Sequence, residues 1–159
     1  MRCYVFFLAL LAFASPLSAG EPEVHHVRLE NDLDVLIVEK HNAPLVTIEV
    51  AVKTGSIVEA PETNGLSHLY EHMFFKGNAA LPTQEEYMAR VSELGIRFNG
   101  TTATERVNYF FTLPSRNFAA GMVFMRDALL QPRFDERELI AERKVVIGCL
   151  LYTSPSHET

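Results

Sequence analysis

The apolar residues of this chain change their period along its length, and the order of those changes limits what it can fold into. VHHVRLENDLDVLIVEK and PLVTIEVAVKTGS alternate apolar with polar residues, the pattern of half-buried strands. The first turns around Asn31 and Asp32 as a hairpin, and the second is one longer strand ending at Gly55. IVEAPETNG reads as a polar loop carrying Pro61 and Gly65. A helix is expected at about Leu66 to Phe75, and another at about Gln84 to Leu94 after LPTQEE, where Thr83 and Glu86 make a capping box. Strands return in RFNGTTATERVNYFFTLP, joined near Glu105 and Arg106. Two more helices are expected, at about Ser115 to Leu130 and about Asp135 to Leu150, the second opened by Asp135 with Glu138 three residues on. Strands, then helices, with strands returning between helices, describe an α+β domain of one sheet packed against helices. Neither a repeat nor an interdomain linker interrupts the pattern.

The first twenty residues, MRCYVFFLALLAFASPLSAG, carry one basic residue, an apolar run, Pro16 and then small residues. That is the layout of a secretory signal peptide, with cleavage expected after Ala19 or Gly20. The apolar run falls short of the roughly 20 residues that a membrane-spanning helix needs. A mitochondrial presequence would instead be Arg-rich and amphipathic. Cys3 leaves with the signal, so Cys149 is the one cysteine remaining and no intrachain disulfide can form. The exported fold must then stand on its core, and 159 residues at 48% hydrophobic suffice for one domain. The expected location is secreted or periplasmic, with no membrane attachment after cleavage. With 14 basic residues, none of them clustered on one stretch, against 20 acidic ones, the net charge of -6 argues against a nucleic-acid partner.

Chemistry concentrates in SHLYEHMFFKG, where His68, Glu71 and His72 fall within one helical turn. On a helix the two imidazoles emerge four residues apart on one face, where both can hold one metal ion. Either histidine taken singly is better read as a hydrogen-bonded core residue; the triplet, in the inverted zincin order, is better read as a zinc site. Glu71 adjoins His72 and can work beside the metal without binding it, taking a proton from water and returning it to a leaving amine. Phe74, Phe75 and the run FAAGMVFMRDALL are expected in the core, and Arg116 and Arg126 on the surface. His25, His26 and His41 have no partner at ligand spacing and receive no role.

Together, NGLSHLYEHMFFKG, NGTTATERVNYFF and FDERELIAERKVVIGCL resemble, in the same order, the N-terminal domain of the pitrilysin and insulinase family of zinc metallopeptidases, which includes the mitochondrial processing peptidase. The resemblance covers roughly Val24 to Leu150 and implies the N-terminal half of a two-half metallopeptidase that hydrolyses peptide bonds. It implies His68 and His72 as zinc ligands, Glu71 as the catalytic base and Glu142 as an acidic residue supporting the site. It also implies that an extended peptide pairs with a sheet edge near the zinc, for which Asn99, Gly100 and Thr101 are the candidates; an ordinary hairpin is the equal alternative. The implied partners are a peptide or protein substrate and a homologous second half or partner subunit, so this chain alone is expected to have little activity.

The same resemblance expects a glutamate as third ligand seven residues after Glu142, on the same helical stripe, and Cys149 stands there. A thiolate is one substitute ligand. The other reading is that Cys149 to Thr159 is a non-native tail, since CLLYTS is what the transposon end TGTCTCTTATACACATCT encodes; the peptidase domain then spans 21–148. Two further function classes stay open: a noncatalytic relative serving as a structural or partner subunit, and a zinc-buffering or metal-sensing module.

Overall fold

A computed structural model of the chain describes residues 23–153. The signal peptide expected over 1–20 and the end of the tail, 154–159, lie outside the described residues. Two compact units divide at residue 42, and each is described by itself.

The first unit is a hairpin of β1 (Val24–Arg28) and β2 (Asp34–Val38), antiparallel with Val24 opposite Val38 and Arg28 opposite Asp34. Its turn closes where the Leu29 N–H donates to the Leu33 carbonyl at 2.9 Å, and Asp32 takes a left-handed φ of 65°, which a short Asp side chain tolerates. Both the turn position and the pairing agree with the expected hairpin. His26 Nε2 meets Asp34 Oδ1 across the strands at 2.9 Å, a surface pair. The expectation of one sheet needs this refinement: the hairpin forms a two-stranded sheet of its own.

The second unit holds an antiparallel sheet of three strands in the order β3 (Leu45–Val52), β5 (Val107–Pro114), β4 (Arg97–Thr102). The central strand β5 is strictly alternating: Val107, Tyr109, Phe111 and Leu113 are buried, and the residues between them are half-buried. Period-2 alternation of this kind marks a sheet covered by helices on one face. The cover is α1 (Leu66–Phe74) and α3 (Phe118–Leu130), with α2 (Gln84–Leu94) adding Tyr87, Val91 and Leu94 to the same core. Aromatic rings join the layers: Phe74 of α1 stacks on Tyr109 at 4.1 Å between centroids, and Phe124 of α3 stacks on Phe111 at 5.4 Å. Gly121 lets α3 lie close on the sheet, because a Cβ there would stand 2.5 Å from Leu113 Cδ1. Burial of Phe111, fully enclosed, contributes about 1.5–3 kcal/mol.

The local start and stop signals act as expected. Thr83 Oγ1 accepts the Glu86 N–H at 3.2 Å while Glu86 Oε2 accepts the Thr83 N–H at 3.1 Å, closing the capping box on α2. The last helix, α4 (Glu136–Thr153), begins where Asp135 Oδ1 accepts the Arg137 and Glu138 N–H groups. It runs three residues past the expected Leu150, since no proline or glycine intervenes before Pro155. α4 packs against α1, and that contact builds the site. Among the described residues no helix is long and apolar enough to cross a membrane.

Candidate metal centre

Helix α1 acts as a ruler for the site. Its N-terminal end is tied down first: Glu59, in the preceding loop, accepts the Ser67 N–H on Oε1 at 2.6 Å and the N–H of the capping Gly65 on Oε2 at 2.8 Å. A carboxylate on the free N–H groups of a first helical turn satisfies orphan donors and complements the helix dipole. Burial pushes the Glu59 carboxyl up, but the backbone N–H bonds from Ser67 and Gly65, with the Ser67 side chain and the His68 charge, hold it below its ordinary 4.5.

One turn later the two imidazoles converge. His68 Nε2 and His72 Nε2 lie 3.2 Å apart, with the rings edge to face at 4.8 Å. On the far side of its ring, His72 Nδ1 stands 2.7 Å from Glu142 Oε2 of α4, and Lys76 Nζ holds the other Glu142 oxygen at 2.7 Å and Glu138 at 3.3 Å. Burial raises the Glu142 carboxyl, yet the hydrogen bonds from Lys76 and His72, and their charges, together keep it below its ordinary value. An ionised Glu142 can only accept, so His72 carries its hydrogen on Nδ1 and turns the Nε2 lone pair toward His68.

This geometry fits zinc. Two nitrogens at zinc–ligand distances of 2.0–2.1 Å and a tetrahedral angle lie about 3.3–3.4 Å apart, close to the observed separation. A carboxylate behind a ligating histidine is the usual outer support of such sites. The set is nevertheless incomplete, because among the described residues no group of three or more His, Cys, Asp and Glu side chains could hold a metal. Cys149 is exposed on α4 and is not gathered with the two histidines into such a group.

Glu71 points to the sheet. Thr102 Oγ1, at the end of β4, donates to Glu71 Oε2 at 2.5 Å, and a Cβ on Gly100 would stand 2.7–2.8 Å from Glu71 Cγ and Oε1. Of the three strand candidates, Gly100 thus lies against Glu71, whereas Asn99 and Thr101 are exposed on alternate positions. β4 pairs only with β5 among the described residues, leaving its outer edge open.

The structure brings together His68, Glu71, His72 and Glu142 and adds Glu59, Lys76 and Thr102, which sequence reasoning passed over. Thr102 was readable, being two residues from Gly100 and so on the same strand face. Glu59 and Lys76 carry no local signal of their roles.

Comparison with known proteins agrees with these motifs: residues 34–149 match the insulinase family, peptidase family M16. An uncharacterized zinc protease, YmxG, of Bacillus subtilis (strain 168) is 31% identical over 117 residues, covering 74% of this chain and 28% of that protein. Human insulin-degrading enzyme is 30% identical over 114 residues, 72% of this chain and 11% of the enzyme. A protease from Helicobacter pylori has a solved structure similar to this one, with a TM-score of 0.73 at 25% identity, covering 82% of this chain and 31% of that one. The chain belongs to the insulinase family, peptidase family M16. It spans less than a third of the length of these relatives.

The Glu59 clamp predicts a signed pH effect. Its folded pKa is depressed, so its stabilisation is complete above the ordinary carboxyl pKa and is lost as pH falls through the folded value. Glu59→Ala should cost about 1–2 kcal/mol at pH 7, by analogy with a lost helix cap. Chemical denaturation followed by circular dichroism should show this difference closing as pH falls below the ordinary carboxyl value of 4.5.

Proposed function

We propose that this chain is the metal-holding N-terminal domain of a zinc endopeptidase or oligopeptidase. The observation that carries the reading is the 3.2 Å approach of His68 Nε2 and His72 Nε2 with Glu71 on the helical turn between them. His68 and His72 would hold zinc through Nε2, and Glu142 keeps His72 in the tautomer that would permit it. Zinc, when bound, supplies a Lewis acid that lowers the pKa of a water to about 7. Glu71 takes a proton from the attacking water on a carboxylate oxygen and delivers it to the nitrogen of the leaving amine. The substrate lies extended along the open edge of β4, at Asn99, Gly100 and Thr101, where backbone pairing accepts any sequence. Gly100 supports this, since it brings that edge against Glu71. Groups from a homologous second half or partner subunit complete the enclosure of the peptide, in keeping with the greater length of the relatives.

Cys149, standing where the family pattern expects a glutamate, favours one rival, a noncatalytic partner subunit of the same family. Peptide hydrolysis by a zinc-loaded polypeptide of the relatives' length, carrying this chain as its N-terminal part, separates the two. Glu71→Gln should lower kcat by about 10³-fold or more while zinc content is unchanged. Equal hydrolysis by wild type and variant would remove Glu71 from the role of base, and no hydrolysis by either would favour the noncatalytic subunit.

A glutamate in place of Cys149, two helical turns after Glu142, is proposed as the side chain that would complete the ligand set. Cys149→Glu should raise zinc affinity on the order of 10- to 100-fold, measured by competition with a chromophoric chelator. Unchanged affinity would exclude this stripe of α4 as the source.

A further inference from the structure

We propose that Thr102 is a positioning residue for Glu71, a role that rests on the reading of Glu71 as the base. A carboxylate on a helix of nine residues has three rotatable bonds, and proton transfer requires one oxygen in one place. Among the described residues, Thr102 Oγ1 provides the hydrogen bond that fixes this carboxylate, donating to Oε2 at 2.5 Å. The other oxygen, Oε1, rests over Gly100 and is the one left to receive a proton.

Two features make Thr102 suited to this. It sits on a paired strand, opposite Val107 in β5, so its backbone is set by the sheet rather than by a loop. Its side chain is β-branched, which restricts χ1 and holds the hydroxyl in one direction. Gly100, two residues earlier on the same face, removes the side chain that would push Glu71 off the strand. The helix therefore carries the base, and the strand aims it.

The test compares Thr102→Val, which keeps the shape and removes the donor, with Thr102→Ser, which keeps the donor. In the zinc-loaded longer polypeptide, Thr102→Val should lower kcat about 10- to 100-fold with KM within about twofold and zinc content unchanged, and Thr102→Ser should stay within a few-fold of wild type. On the Glu71→Gln background Thr102→Val should cost nothing more, because the carboxylate it aims is gone. A second readout needs no activity: the 13Cδ resonance of Glu71, assigned by its loss in Glu71→Gln, should move in Thr102→Val and hold in Thr102→Ser. If Glu71→Gln abolishes hydrolysis while Thr102→Val keeps both kcat and the resonance, the positioning role is wrong and the base assignment stands. Equal losses in Thr102→Ser and Thr102→Val would likewise overturn it, as a packing role would then explain both. If Glu71→Gln itself retains hydrolysis, the base assignment fails first.

Discussion

The hydrogen bond between His72 Nδ1 and Glu142, 2.7 Å long and joining two helices, is the constraint on which the site depends. It fixes the tautomer of one imidazole and so decides that the lone pair at Nε2 faces His68. Glu142 can do this only as an anion, and Lys76, three-quarters or more buried beside it, supplies the compensating charge. Largely buried ion pairs of this kind contribute little net stability but specify an arrangement, because either partner left alone would be an uncompensated charge. The chain has put its specificity where α1 meets α4.

Three other contacts hold the ruler itself. Glu59 anchors the first turn of α1, Phe74 stacks on Tyr109 at its last turn, and Thr102 meets Glu71 on the side between. These come from a loop, the central strand and the edge strand, so α1 is fixed at both ends and along one face. A helix of nine residues is too short to persist on propensity alone. Its order is borrowed from the sheet, and through it the positions of both histidines are set by the core.

Much of this was legible because the signals are local. The capping box at Thr83 and Glu86, the turn at Asn31 and Asp32, and the i, i+4 histidines each depend on residues a few positions apart. FAAGMVFMRDALL was legible only in part: Gly121, Phe124, Met125 and Ala128 are buried, but Phe118, Met122, Val123 and Leu130 are exposed, since a helix on one face of a sheet turns its other side outward. Glu142 was reached through family resemblance, because no periodicity links it to His72 across 70 residues. Glu59, Lys76 and Thr102 were not reached, although Thr102 shares a strand face with Gly100. Glu59 and Lys76 are common residue types whose roles appear only once distant elements meet.

Zinc-edge X-ray absorption on the zinc-loaded chain tests the convergence of the two imidazoles most directly. Two nitrogen scatterers are expected at about 2.0–2.1 Å with imidazole outer-shell features, one lost in His68→Ala and one in His72→Ala. A spectrum of oxygen ligands alone, unchanged by either substitution, would contradict that convergence.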